Sequence, residues 1–596
     1  MKRYRYNMKA VLAACACIGA FSACSDMFET DSSSVVFEDG NDLQSPNDSL
    51  YSVMGILSKV QRLGDRYVLF GELRGDLMKA THDADVSIQQ ISDFNVGPDN
   101  VYRSFNDYYD VINNCNYAIQ RMDTSIVFYE DKVMLPEFAQ IKAIRAWTYW
   151  QLALAKGEVN YIEEPVVSLE AAMKSYPVVG IERLAELLIE DLRPYTGIRE
   201  LNYGAVNGLE TTRMFFPIDM LLGDFYLFLN RYADAAQCYY RMIDKRNITM
   251  ASNYTNRWNG VLRNSLVFDW LSSYTSSAST EMLTMLAYSD KPKDYHPQLI
   301  RLSYNEKPSI VPAVSFVNDM SRSTYFYPSQ SNPVVDRYFM GDLRGQAEMA
   351  SGRIEAAAYG PSRVGDYNGT LIYKFWGMRE SNNGVSDPEN DKLSGLNYVR
   401  RLPVYRASHA YLRLAEAINR YGKPSMAFAV LKYGLKRVDI ENPDKVTQGE
   451  RTGEIFLDFT AGKFDGNVGT ATRGRGMGIS YDNERQYVIP DYTRYEEKIV
   501  TDEGTGDETV IEVPTTDPAE MAEALADSIL FVEDRIMEEM AAETCFEGNR
   551  FFDLMRVGRH RGNWCDYAAG MVAERFEQNK DAIKAKLKDE KQWFLK

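Results

Sequence analysis

The chain has 596 residues, 45% hydrophobic and 12% aromatic, with 67 Lys and Arg against 84 Asp and Glu, a net charge of −17. Such acidity repels phosphate backbones and anionic lipid alike, which excludes nucleic acid as a partner and basic patches as a means of membrane attachment. Only four histidines occur (His82, His296, His409 and His560), none close enough in sequence to another to build a zinc-hydrolase helix.

At the start, Lys2, Arg3, Arg5 and Lys9 precede an apolar run from Ala10 to Phe21 that ends in Ser22-Ala23-Cys24, and the first acid is Asp26. Positive flank, apolar core and small-residue site together form a secretory signal. The run is about 12 residues, short of the roughly 20 that a helix needs to cross a bilayer. Cys24 stands at the cleavage point, where its sulfur can be diacylated and the new amino terminus acylated. Several acyl chains give stable anchoring, because each buried methylene adds about 0.8 kcal/mol. Residues 1–23 are therefore expected to be a lipoprotein signal, and their loss takes the net charge to about −21. Residues 24–50, rich in Ser, Asp, Asn and Glu, read as a flexible tether.

Long helical patterns follow. Ala143, Trp147, Trp150 and Leu154 recur at helical spacing and predict a core-facing stripe. Ile218, Leu222, Phe225 and Leu229 repeat the pattern, with Pro217 at a favourable first-turn position. The segment also holds an internal register. Leu222-Gly223-x-x-Tyr226 is followed by Ala235 and Tyr239, the pattern of a tetratricopeptide-like helical hairpin. It returns as Leu414-Ala415-x-x-Ile418 with Ala427 and Leu431, led by Tyr411. The units are far apart, so a large insertion separates them. Residues from about 250 to 400 are rich in Ser, Asn, Gly, Pro and Tyr. Short alternating runs there, such as Leu371 to Trp376, predict loops, short helices and a hairpin or two. A second irregular stretch covers about 440–515, and helix is predicted to return over 518–548. The expected fold class is mainly α, a tetratricopeptide-like hairpin scaffold carrying long excursions with loops and short β-hairpins. Excursions on a rigid scaffold are where binding residues usually sit.

The scatter of Cys115, Cys238, Cys545 and Cys565 excludes a CxxC zinc site and a dense disulfide framework. Cys115 and Cys238 fall in helical patterns and read as buried thiols. Cys545 and Cys565 either pair in an oxidising compartment or stay reduced. There is no G-x-S-x-G elbow, no Walker loop, and no dinucleotide fingerprint around Gly474, Gly476 and Gly478. Asp83 with Asp85, and Asp465 with Asn467, could hold calcium but read as solvated loop acids. No metal, cofactor or enzymatic activity is expected.

Five segments, in order, resemble the SusD/RagB family of surface lipoproteins. Glu72-Leu73-Arg74-Gly75-Asp76 is similar to the family's early signature, and Tyr108 to Asn116 to its first long helix. Asp342-Leu343-Arg344 followed by Lys374-Phe375 resembles the mid-chain pair, and Tyr411 to Ala417 its most recognisable helix. Phe546-Glu547-Gly548-Asn549-Arg550-Phe551-Phe552-Asp553-Leu554-Met555-Arg556 is similar to the closing motif, with Phe551 where the family has Trp. The closing motif reads as architectural, since Glu547, Arg550, Asp553 and Arg556 are spaced by three and become neighbours along a helix. The resemblance covers the mature chain and implies a single domain over 51–596, carried by an outer-membrane lipoprotein at the cell surface. It implies a SusC-like TonB-dependent transporter as partner and an oligosaccharide or polysaccharide as cargo. Peptide or another nutrient in the same role, and a structural or adhesive scaffold, are the alternative readings.

A sugar site needs flat aromatic faces for the apolar side of the ring and polar groups for its hydroxyls. The 39 tyrosines suit that work. In resembling proteins ligands lie between the early and middle excursions. That implies His82, Asp83, Phe94 and Asn100 as one wall, and Tyr325, Tyr327 and Trp376 as the other. Tyr325 and Tyr327 share a face if their segment is extended.

Overall fold

In the computed structural model the described residues are 46–206, 209–250, 281–289, 294–322, 324–327, 337–340, 342, 344–345, 359–364, 367–377, 399–451, 462, 464–475, 487–501, 504–506 and 508–595. Side chains are described for these except 46–51, 324–327, 337–340, 359–364, 376–377 and 564–565. The signal at 1–23, the Cys24 anchor and most of the tether lie outside the described residues.

The frame is helical. Its main elements are α1 (Pro46–Val60), α2 (Gly64–Glu72), α3 (Asn106–Arg121), α4 (Leu135–Lys156), α5 (Ile181–Leu192), α6 (Ile218–Phe228), α7 (Tyr232–Lys245), α8 (Ala407–Arg420), α9 (Pro424–Tyr433), α10 (Pro518–Thr544) and α11 (Arg550–His560). Helix α1 already begins within the 24–50 stretch. In α4 the expected stripe is buried, but so is every residue from Ala143 to Ala155. A helix that is apolar all round is covered all round, and α3 and α5 both pack on α4. Helix α5, on the rim, buries one face only, through Ile181, Leu184, Ala185, Leu188, Ile189 and Leu192.

Each of α3 to α9 packs on the next. Helices α6 and α7 form the first repeat hairpin, turning at Asn230 in the left-handed region. A Cβ on Gly223 would stand 2.5 Å from a ring carbon of Tyr239, so glycine is what lets the two helices close. Helices α8 and α9 form the second hairpin, with Pro424 in the first turn of α9. Contact of α7 with α8 sets the two units side by side, although about 160 residues of chain separate them. A buried knot ties the units together. Asp224 of α6 accepts Arg413 of α8 on both oxygens at 2.7 Å, the Tyr239 hydroxyl at 2.7 Å and the Tyr405 hydroxyl at 2.9 Å.

The closing motif is architectural, but its charges do not pair as spacing suggested. Helix α11 starts at Arg550, so Glu547 precedes it, and only Asp553–Arg556 (2.7 Å) bridges along the helix. The other partners are distant in sequence. Glu547 meets Lys374 and Arg406, Arg550 clasps Asp76 at 2.7 Å, and Arg556 reaches Glu416 at 2.7 Å. Arg344 joins Asp342, Glu539 and Glu543, while Arg473 and Arg475 close the network on Glu281 and Glu539. Burial alone would raise Glu539 and Glu547. Arg344 and Arg475 on the one, and Arg406 and Lys374 on the other, outweigh it and bring both down to about 2. The early and closing signatures are therefore halves of one joint. A Cβ on Gly71 would stand 1.8 Å from the Gly548 carbonyl oxygen, and Glu72 accepts the backbone N–H groups of Phe546, Gly548 and Asn549 at 2.8–3.0 Å. Arg74 lies buried with its guanidinium 4.2 Å from the Phe551 ring centre. Phe551 stacks on Trp593 at 5.1 Å.

Within the excursions every sheet among the described residues has two strands. Strands β1 (Met78–Ala80) and β3 (Ile310–Pro312) join the early and middle excursions, while β2 (Met282–Ala287) pairs with β4 (Arg401–Arg406) against the stack. The alternating run ends early: strand Tyr367–Ile372 stops before a helical turn, Lys374–Gly377, that carries Trp376. The 440–515 stretch, expected to be irregular, closes in a regular hairpin of β5 (Tyr495–Thr501) and β6 (Glu508–Pro514). Cys545 is a free, buried thiol near the Lys374 ammonium, so no Cys545–Cys565 bridge forms.

Candidate functional site

The early and middle excursions meet along a seam. Met78 stands opposite Pro312 and Ala80 opposite Ile310, and the Thr81 N–H donates to the Ser309 carbonyl at 2.9 Å. Predicted residues distribute unevenly along it. The His82 side chain is 92% exposed, with its Nε2 3.3 Å from Asp83. Phe94 is buried, packed on the Phe551 ring at 5.9 Å and on the Arg74 and Arg575 guanidiniums at 5.8 and 5.9 Å. Asn100 is also buried: its side-chain oxygen accepts the Tyr102 N–H, and its amide donates to the Ser87 carbonyl and to Gln90, all at 2.9 Å. Both side chains are committed inside the fold, so neither offers a face to a ligand. That corrects their assignment to the first wall. Tyr325 and Tyr327 lie on strand Thr324–Tyr327, opposite Phe339 and Arg337. Their side chains, and that of Trp376, lie outside the described residues.

What the seam does gather is a tyrosine cluster around a carboxyl group. Asp65 and Arg66 open α2, Tyr102 follows the early loop, and Tyr288 and Tyr295 come from the middle excursion. The Asp65 carboxylate accepts the Tyr295 hydroxyl at 3.0 Å and the Gln298 N–H at 2.8 Å. Burial raises its carboxyl to about 6, against the pull of those two bonds and of Arg66. Burial, and then the Asp65 charge, raise the Tyr102 phenol to about 12. Arg66 donates to the Tyr102 carbonyl at 3.1 Å, with its guanidinium 5.5 Å from the Tyr102 ring centre. The Tyr288 ring lies 6.3 Å from Tyr295, and its hydroxyl donates to the Gln61 carbonyl at 3.0 Å. Tyr295 keeps 39% of its surface exposed. Tyr295 is thus partly open to solvent, while its hydroxyl is held by a carboxylate that also has the Arg66 cation at hand. Flat apolar surface beside fixed polar groups is what a sugar ring requires.

A cleft of about 760 Å³ opens beside the β1–β3 seam, floored by Phe316, Met320, Met537 and Ala541. Much of its charged wall is already paired: Arg550 with Asp76, Arg535 with Glu538 (2.6 Å) and Arg475 with Glu539 (2.7 Å). Two of the loop groups are engaged too. Asp85 caps the helix Val86–Ser92 by accepting the Ser87 N–H at 2.8 Å, and Asn467 is buried against Met250 and Tyr411 at 2.6 Å each. Among the described residues no group of three or more His, Cys, Asp or Glu is placed to hold a metal, and no helix is long and apolar enough to cross a membrane.

Sequence reasoning missed Asp65, Tyr102 and Tyr295. The nearest signals were the Asp65-Arg66 pair just ahead of the early signature, and Tyr102 just past the predicted wall.

No family model matches the chain, and no curated protein matches it. Solved structures do. A SusD superfamily protein from Bacteroides vulgatus ATCC 8482 superposes with a TM-score of 0.52 at 16% identity, over 86% of this chain and 89% of its own. A second from the same organism gives 0.53 at 12%, over 90% and 92%. Surface glycan-binding protein A from Bacteroides fluxus gives 0.50 at 15%, over 90% and 94%. Identities this low speak to architecture alone, and on that ground the chain has the fold of the SusD superfamily.

Proposed function

We propose that the protein is a lipid-anchored protein of the outer-membrane surface that captures a glycan and passes it to a SusC-like TonB-dependent transporter, without breaking a bond. The observation that carries this reading is the half-open Tyr295 ring, fixed through Asp65 and flanked by Tyr102 and Arg66. Similarity to a surface glycan-binding protein supports glycan as the cargo. Cys24 at the end of the signal supports the anchor, and the Ser- and Asp-rich tether gives the frame reach above the membrane.

Isothermal titration against neutral oligosaccharides and peptides tests the cargo. Millimolar to micromolar affinity, about −4 to −8 kcal/mol, is expected for a protein that must release what it binds. Tyr295→Ala should weaken glycan binding about tenfold, the loss of roughly 1.4 kcal/mol of ring contact, with the far-UV circular dichroism of the parent. The mixed-charge cleft favours a second reading, peptide cargo, because its apolar floor and charged rim suit a short chain with both. Saturable binding of peptides alone, indifferent to Tyr295→Ala, would establish that reading and end the first. Palmitate labelling that survives Cys24→Ala would remove the anchor.

A further inference from the structure

The hairpin of β5 and β6 stands outside the frame. Every residue of its strands is exposed except Val513, which is half-buried. A two-stranded sheet with neither face covered is marginally stable in water, yet this one carries aliphatic residues on both. Register separates the faces. Tyr495, Glu497, Ile499 and Thr501 share one with Glu508, Val510, Glu512 and Pro514, while Lys498, Ile511 and Val513 lie on the other. The first face is the more open: Tyr495, Ile499 and Val510 are each more than half exposed. It also sets Glu497 directly opposite Glu512, a like-charge pair that weakens a ladder. Helix α10 follows β6 in the chain and exposes Met521 and Leu525, four residues apart. From Arg494 to Asp527 there are eleven acids and two bases, and Arg494 is spent on Asp527 at 2.7 Å.

We propose that this arm is a docking surface for a protein partner whose contact patch is basic. The partner seats apolar side chains on Ile499, Val510 and Tyr495, and places a Lys or Arg between Glu497 and Glu512. Charge decides among occupants. A second copy would set two strongly acidic arms together, and anionic lipid would repel both. A glycan calls for flat rings, whereas the centre of this face is aliphatic. The tyrosine cluster plays no part, so the inference stands apart from the glycan reading.

The full-length lipoprotein, produced in its own cells with a photo-crosslinking amino acid in place of Ile499, tests the proposal. The expected result is an adduct to another protein at a Lys- and Arg-rich segment. Its yield should fall at least about tenfold in Glu497→Lys/Glu512→Lys and decline with added salt. The same probe in place of Leu169, exposed elsewhere on the frame, should give no such adduct. Far-UV circular dichroism and melting should match the parent, because these side chains touch solvent. An adduct to a second copy or to lipid, no adduct from folded protein, or a yield indifferent to charge reversal would each overturn it.

Discussion

The knot at Asp224 offers the sharpest test of the stacked-hairpin frame. Arg413 is 6% exposed, and besides Asp224 it bonds Asn549 at 3.1 Å. Asp224→Ala strips four hydrogen bonds from three buried partners and leaves a guanidinium without its counter-charge. Breaking a buried pair from one side costs about 3–5 kcal/mol. A domain the size of residues 46–595 unfolds with an entropy of roughly 1.2 kcal/mol/K, so the expected fall in melting temperature is about 3–4 °C by calorimetry. Arg413→Met should cost a similar amount, because it strands the carboxylate. The double variant carries no unpaired charge, and its loss should undercut the sum of the singles by about 2 kcal/mol, read as roughly 2 °C. Strictly additive singles, or an Asp224→Ala shift under about 1 °C, would show that the repeat units do not lean on this pair.

Other expectations follow from packing and titration. Gly223→Ala should destabilise by about 1–3 kcal/mol through overpacking on Tyr239. Gly570→Ala, in the helix Trp564–Ala573 with nothing within 4 Å of the new methyl, should stabilise by up to about 1 kcal/mol; the two melting shifts should have opposite sign. Stability should depend on pH in two windows. Glu539 and Glu547, held down at about 2, contribute stability above pH 4.5 that is lost as the pH falls toward 2. Glu72, raised by burial to about 7, acts in the opposite sense: its folded form holds a proton that the unfolded form gives up, so stability declines as the pH rises from 4.5 to 7. Glu72→Gln should flatten that upper window in melting curves and leave the acid limb unchanged. Cys115, Cys238 and Cys545, each buried and pushed up to about 12, should resist thiol reagents until the protein unfolds, and reductant should not move the melting point.

The helical frame was legible because its signals are local. Gly223 and Tyr239 lie within one hairpin, and the periodicity of α4 and α6 needs no partner to be read. The ion pairs were misread for the converse reason. A spacing of three implies neighbours only where a helix already runs, and α11 begins after Glu547, whose partners Lys374 and Arg406 arrive from other parts of the chain. The site shows the same limit. Asn100 and Phe94 stand in the segment to which the resemblance points, but position and residue type cannot tell a ligand group from a turn cap or a ring wedged between arginines. Asp65 and Tyr295 are joined only by the fold, which no local pattern announces.

What connects the architectural motifs to the site is helix α2. Its last residue, Glu72, is gripped by the backbone of the closing loop, and two turns earlier on the same side Asp65 grips Tyr295 and Gln298. The helix is a strut with one end in each joint. Gly71 keeps it tight against Gly548, where any Cβ would meet the carbonyl, so the height of the tyrosine cluster above the frame is fixed by a contact that touches no ligand. The early and closing signatures thus act on the tyrosine cluster through position. Their residues set where the excursions start, so the motifs describe the scaffold, while Tyr295, Tyr102 and their neighbours stand on what that scaffold holds out.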